Sequence, residues 1–465
     1  MSKIKLSIIA DAGAPTGFAT VTHQVAWYLQ ETGEYDINIL GINFSGKPNE
    51  WSKKLTIWPA KLGGDSLGMS YAQTFFEETK PDVRFLFQDF WNIPHYLADM
   101  KPGTPGVVVY YPVDSPNIKG NYMLALGAAT EFACYTDFGA QESIRGATEG
   151  WETVKVQAKA AGLDKVNLLT INVAGALDTK SSSIIGGGDV VVPAKQIKRL
   201  LKKDTYNVIP HGIDVAQFFP IDTKVAREKL NMDLDWFIVG NVNRNQSRKR
   251  QDLTIQAFAE FAEDKPNARL VLHCVRMDPR GWDLMQLAEY YGVKEKLLLT
   301  HDLFDEMTAT LEELNLVYNS FDVQVNTCGG EGFGLTNFEG AACSIPQIVP
   351  DWSATKEIWE DSGLLIDVVA VRHEMALINT AQAVIDVHHL ANMLNELYES
   401  PDKLRALGES CLETTQRPEY KWEAVGAQFD RMFRRAIGKA PLTGDVALTA
   451  KGQKELTQKR SLKFK

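Results

Sequence analysis

Short apolar runs rich in β-branched and aromatic residues alternate with helical patterns from one end of this 465-residue chain to the other. Such alternation marks parallel sheets wrapped by helices, because a parallel strand reaches its neighbour only through a crossover long enough to hold a helix. In the first half strands are expected at residues 4–10, 35–40, 83–88, 107–111 and 131–136. In the second half they are expected at 206–209, 237–241, 269–275, 323–326, 347–349 and 364–366. A single core stops growing near about 250–300 residues. The fold class is therefore α/β, with two Rossmann-like, doubly wound parallel-sheet domains in tandem.

The join lies in a stretch of different texture, 145–203, with Ser181, Ser182, Ser183, Gly186, Gly187 and Gly188 in its middle. It reads as an irregular surface insertion. The expected division is 1–204 for the first domain, 205–419 for the second, 420–437 for a C-terminal helix and 438–465 for a basic flexible tail. The helix follows from Trp422, Val425, Phe429, Met432, Phe433 and Ile437, which recur near helical spacing.

Charge narrows the partners. Lys and Arg number 49 against 59 Asp and Glu, a net charge of -10, which argues against a general nucleic-acid coat while leaving a local basic patch open. The five cysteines are scattered without a CxxC pair, as expected in a reducing compartment and not in a zinc ribbon. No apolar run is long enough for a transmembrane segment, and Asp11 at once interrupts Ile8, Ile9 and Ala10 where a signal peptide would stay apolar. A cytoplasmic location is expected.

Two segments carry chemistry. Between Asn326 and Cys343 a strand ends, a Gly-rich turn follows (Gly329, Gly330, Glu331, Gly332, Phe333, Gly334), and a helix begins near Gly334. Unpaired amides at such a helix start make an anion and hydroxyl site, and the glycines let a ligand approach the backbone. Glu331 and Glu339 flank the turn and are expected to face one pocket at different depths, where a carboxylate suits vicinal hydroxyls. Solvated glutamates on an ordinary turn are the alternative. The second segment, Gly240 to Arg250, sets Arg244, Arg248, Lys249 and Arg250 just past a parallel strand. Ligands of open α/β sheets bind there, and these cations suit a pyrophosphate; a solvated basic loop or a nucleic-acid contact is the bland reading. Near the N-terminus, Asp11 to Ala19 forms a strand, Gly-rich loop and helix around Gly13 and Gly17, without GxGxxG spacing or a P-loop lysine.

Taken together, these residues resemble the retaining family-4 glycosyltransferases of the GT-B fold. The resemblance rests on Glu331 and Glu339 around Glu-Gly-Phe-Gly-Leu, on Arg244 with Lys249, and on Val208-Ile-Pro-His-Gly-Ile-Asp214. Pro350-Asp-Trp-Ser-Ala-Thr-Lys-Glu357 and Tyr420-Lys-Trp422-Glu423 follow in the same order, so the match covers about 208–437 and is thinner before it. It implies a cleft between the domains and a nucleoside-diphosphate sugar (UDP-, GDP- or ADP-linked) as co-substrate, with no permanently bound cofactor and no metal required. By position, Arg244 and Lys249 would neutralise the diphosphate and Glu339 would hold the ribose. Glu331 and the amides of Gly332, Phe333, Gly334 and Leu335 would face the donor sugar and distal phosphate, and Gly17 would cap the diphosphate from the first domain.

The chain departs from the family after 107–111, where relatives commonly place a His and this sequence reads Tyr111-Pro112-Val113-Asp114. Asp114, or Asp89 in Gln88-Asp89-Phe90-Trp91, is the candidate to take part of that role, and a helix N-cap is the alternative for each. His211 stands where relatives often have Asn and is expected to be a hydrogen-bonded scaffold residue. The implied reaction is sugar transfer to an acceptor hydroxyl with retention at the anomeric carbon. The acceptor class is open among glycan, lipid, small molecule and modified nucleic acid. Transfer to modified DNA bases, and a catalytically idle sugar-nucleotide-binding protein, are the other readings.

Overall fold

The computed structural model describes residues 2–440 apart from 14–15, 99, 102, 175, 179–182, 186, 301–308 and 375–377, and describes only the backbone of 62–63, 176–178 and 183–185. The basic tail expected over 438–465 thus falls, from 441 onward, outside the described residues.

Six strands open the first domain: β1 (Ile4–Asp11), β2 (Tyr35–Ile42), β3 (Thr56–Pro59), β4 (Val83–Phe87), β5 (Val107–Tyr111) and β6 (Glu131–Cys134). They are followed by β7 (Leu168–Val173), β8 (Ala176–Asp178), β9 (Ser183–Ile185) and β10 (Gly188–Pro193), and then by β11 (Tyr206–Val208). The sheet order is β11-β6-β5-β4-β1-β2-β3 and every pair in it is parallel. Central strands of such a sheet are covered on both faces, so β5 reads Val-Val-Val-Tyr-Tyr and is buried throughout.

The second domain holds β12 (Phe237–Asn241), β13 (Ala268–Leu272), β14 (Leu297–Leu299), β15 (Val323–Val325), β16 (Gln347–Pro350) and β17 (Leu364–Ile366). Their order is β14-β13-β12-β15-β16-β17, again all parallel. A separate antiparallel ribbon pairs β18 (Val368–His373) with β19 (Ala381–Ile385). Counted within each domain, both sheets share one order for their six main strands, β11 being added at the edge of the first, and the chain reverses its direction of travel between the first and fourth strands. Ligands of such sheets bind in the crevice at that reversal, beyond the strands' carboxyl ends.

Three expectations need correction. The strand expected to open the second domain pairs instead with β6, so the first sheet extends to Val208, past the boundary expected near Asp204. Residues 145–160 are not irregular but complete the 24-residue helix Asp137–Ala160. No residue of this helix beyond Ala147 is buried, so its distal half shows no apolar period to read. The rest of 145–203 contains the antiparallel pair β7–β10 and the helix Ala194–Leu200. Finally β3, β14 and the β18–β19 ribbon went unread, being short or lying at a sheet edge.

The C-terminal helix, Trp422–Ala436, leaves the second domain and packs on the first sheet. Phe433 meets Phe85 at 5.0 Å and Phe429 meets Tyr110 at 5.0 Å between ring centroids. The Tyr35 hydroxyl donates to Asp430 at 2.6 Å, and Arg435 pairs with Glu131 at 3.0 Å. The chain therefore crosses between its domains twice, which holds the two crevices face to face.

Candidate active site

The crevice of the second sheet lies between the loops after β12 and β15, which carry the two segments singled out above. The loops are bonded to each other: the Gly329 amide donates to the Arg248 carbonyl at 2.8 Å, and the Thr327 hydroxyl donates to the Arg250 carbonyl at 2.9 Å. Opposite, the crevice of the first sheet presents Asp11 and Thr16 after β1 and Gln88 and Asp89 after β4. Between them is a cavity of about 700 Å3. Lys249, Glu331 and the Gly332–Leu335 turn line it from one side, and Gly17, Asp89 and Asp114 from the other.

Four charged side chains knit the two walls. Lys249 is ion-paired with Glu331. Arg248 reaches Glu331 at 3.5 Å and Asp114 of the first domain at 3.3 Å, and it also donates to the Gly330 carbonyl. Burial alone would raise the Glu331 carboxyl, but Lys249 and Arg248 outweigh it and hold it at about 2. Asp114 is raised by burial, with Arg248 and the Gly332 amide opposing. Asp89, beside it, is pushed up to about 7 by burial and by the Asp114 charge. Neither carboxylate caps a helix: the helix Ile93–Leu97, next after Asp89, has no side-chain cap, and Asp114 is committed across the cleft.

Arg244 lines the same cavity but makes no ion pair among the described residues, so it is the uncommitted cation of the site. Arg250 turns away and pairs with Asp252 at 2.9 Å. Arg248 is therefore the functional residue that spacing missed. Three adjacent cations look alike in sequence, and only the tight turn Ser247–Lys249 decides which of them point inward.

The glycines act differently from expectation. A Cβ on Gly332 would stand 2.8 Å from Pro112 Cβ, and one on Gly330 would run into Ser115 and the Asp114 carbonyl. Here the missing side chains make room for Pro112, Asp114 and Ser115 of the opposing domain. Gly334, at a φ of 90°, turns the chain into the helix Leu335–Ala342, which no side chain caps, and Leu335 and Thr336 of its first turn lie on the cavity. Gly17 faces that turn, 3.2 Å separating its Cβ position from Leu335 Cδ1. The Thr16 hydroxyl accepts from Ala19 N at 3.1 Å and donates to Asp11 at 2.9 Å, which fixes the Gly17 loop.

The two glutamates part company. Glu331 is on the cavity wall, whereas Glu339 lies outside it and accepts from the Tyr318 hydroxyl at 2.6 Å. Burial, only partly opposed by that hydroxyl, raises Glu339 to about 7. Glu357 bridges the domains, accepting from the Asp137 and Phe138 amides at 2.9 and 2.6 Å at the start of the helix Asp137–Ala160. His211 is the other surprise. It is buried in the cavity wall, between Tyr135 at 4.2 Å and Phe333 at 4.7 Å, and neither ring nitrogen has a hydrogen-bond partner. Burial lowers it to about 3, so the ring is neutral. Leaving such a group unpaired costs about 1–3 kcal/mol, so it is not the satisfied scaffold residue expected.

Residues 235–386 match the family described as glycosyl transferases group 1. The likeness to group 1 glycosyltransferases thus falls on the second sheet and its loops. The matched stretch contains Arg244, Arg248, Lys249, Glu331 and Glu339. The D-inositol 3-phosphate glycosyltransferase of Segniliparus rotundus is 27% identical over 237 residues, which is 50% of this chain and 47% of that one. The same-named protein of Geodermatophilus obscurus is 30% identical over 170 residues, 34% of this chain and 36% of its own. The chain thus spans about half the length of the first, and less of the second. Among solved structures, the sucrose-phosphate synthase of Thermosynechococcus elongatus superposes with a TM-score of 0.62 at 16% identity, covering 94% of this chain and 100% of that one. Anabaena HepE in complex with UDP and glucose superposes with a TM-score of 0.56 at 14% identity, covering 92% and 98%. These likenesses place the two facing domains in the GT-B fold.

Proposed function

We propose that the chain transfers a sugar from a nucleoside-diphosphate sugar to an acceptor hydroxyl, with retention at the anomeric carbon. The observation that carries this reading is the cavity between two facing crevices, walled by cations and an uncapped helix start on one side and by carboxylates on the other. UDP bound in the HepE structure supports the donor class. In the reaction the bond between anomeric carbon and diphosphate oxygen breaks, and the acceptor oxygen bonds to the same face of that carbon. The acceptor proton passes to the departing diphosphate.

Charge grows on the diphosphate as it leaves, so preorganised cations favour the transition state over the ground state. Arg244 is the cation free to meet it, and Lys249 joins when the ligand competes for its pairing with Glu331. These groups supply the neutralisation without a metal. The amides at Leu335 and Thr336 receive the distal phosphate, and Gly17 closes over it. Glu339, outside the cavity of the free protein and bonded to the Tyr318 hydroxyl, holds the ribose when a ribose hydroxyl replaces that of Tyr318. Glu331, kept ionised by its partners, and Asp89 and Asp114 face the sugar, the last two in place of the family's His. Among the described residues no helix is long and apolar enough to cross a membrane. The named relatives make a polyol phosphate the first acceptor to try.

The test is a thermal-shift panel of UDP, GDP and ADP sugars, in which a true donor at 100 times its Kd adds about 2.7 kcal/mol. NMR of the product's anomeric configuration follows. A panel in which no nucleotide sugar raises the melting temperature removes the proposal, and an inverted product removes retention.

A further inference from the structure

His211 is out of keeping with its surroundings. It follows β11 in the loop 209–213, which is fixed at both ends: Ile209 N donates to the Cys134 carbonyl at 2.9 Å, and Ile213 N to the Tyr420 carbonyl at 2.9 Å. The imidazole is only 5% exposed, packs against Tyr135 and Phe333, and borders the cavity with both nitrogens unpaired. Buried polar side chains are hydrogen-bonded in the great majority of cases, and His211, unlike the unpaired His95, Trp352 and Trp359, borders the cavity through which a partner can reach it. Phe333 lies in the turn next to Glu331, so a group that reaches His211 from the cavity passes beside that turn.

We infer that His211 is a specificity-determining residue that hydrogen-bonds a hydroxyl of the donor sugar, an inference that rests on the transferase function proposed above. A neutral imidazole offers one N–H and one lone pair, and a hydroxyl can meet either. A phosphate oxygen can only accept, and an anion would have no opposite charge to meet at this ring. Tyr135 and Phe333 add the apolar walls against which the carbon face of a pyranose packs. On the proposed function the diphosphate goes to Arg244, a cation that His211 does not contact, so His211 senses the sugar and not the nucleotide.

The experiment uses the full chain and, of UDP-, GDP- and ADP-glucose, the sugar nucleotide that most raises its melting temperature. With 15N-labelled histidine, the His211 ring nitrogens, assigned by their loss in His211→Asn, should shift on adding the sugar nucleotide and stay in place with the matching nucleoside diphosphate. In kinetics, His211→Phe should raise KM for the sugar nucleotide or lower kcat/KM by tenfold or more while leaving the Kd for the nucleoside diphosphate within twofold. His211→Asn should recover part of the loss. Ring signals that ignore the sugar nucleotide, or a His211→Phe enzyme with parental kcat/KM, would overturn the assignment. Equal shifts with both ligands would overturn it too, by placing the ring on the phosphates. If the phenylalanine variant does not fold, the NMR comparison on the parent chain decides alone. Failure of the transferase reading looks different: no sugar nucleotide stabilises the parent protein at all.

Discussion

The two crevices share one strand order and face each other, yet their chemistry is opposite. The one in the second domain presents Arg244, Arg248, Lys249 and an uncapped helix start, while the one in the first presents Asp11, Asp89 and Asp114 among Phe90, Trp91 and Tyr135. On the proposed function the same topology serves once for an anion and once for neutral, hydroxyl-bearing molecules. Strand order thus determines where a site lies, and the residues just past the strand ends determine what it takes. The two walls are not independent, because Arg248 spans them by holding Asp114 and Glu331 together.

The sharpest way to break this contrast is on the cationic side. Arg244→Ala should cut turnover about 100-fold while leaving the melting temperature unchanged, since the side chain acts on developing charge and has no ion pair among the described residues to lose. Lys249→Ala should show the same kinetic loss and also melt lower, because it strips the buried Glu331 of one of its two partners. Near-normal turnover in both variants would move the diphosphate elsewhere.

On the carboxylate side, at least one of Asp89→Asn and Asp114→Asn should lose turnover on the order of tenfold or more while still binding nucleotide. Calorimetry with the nucleoside diphosphate separates the two walls, and two fully active variants would sink the idea that a carboxylate stands in for the missing His.

Glu339→Gln should weaken nucleoside-diphosphate affinity by about 1.5–3 kcal/mol yet stabilise the free protein at neutral and higher pH. In the folded chain Glu339 keeps its proton up to about 7, and in the unfolded chain it loses it in the ordinary carboxylate range. Folding with this residue is therefore favoured most at low pH, and that contribution is lost as pH rises through about 7. Melting curves of parent and variant should coincide at about pH 4 and separate above neutrality, with the variant higher. Parallel curves across that range would mean that the burial of Glu339 has no consequence for folding.

The smallest effect is expected at the bridge. Glu357→Gln gives up one of the two amide hydrogen bonds at the start of the helix Asp137–Ala160, because its NH2 cannot accept, and should lower stability by about 1 kcal/mol, with kcat little changed. A large loss of turnover at unaltered stability would instead assign Glu357 to the chemistry.

The pattern of apolar runs by itself determined the α/β class and the two parallel sheets, because strands covered on both faces must be apolar along their whole length, as in β5. It also located the two loops that line the cavity, since glycines and cations cluster just past the strand ends there. Elements without a buried face stayed silent, among them the outer half of the helix Asp137–Ala160. Pairing over long separations was decided only by the tertiary structure: β11 joins the first sheet, and Gly332 makes room for Pro112. So was the choice of Arg248 over Arg250 as the residue that crosses the cleft, and so was the isolation of His211 between two aromatic rings. Residue type fixes what a side chain can bond, but whether a partner is within reach depends on segments a hundred or more residues away, which local sequence does not encode.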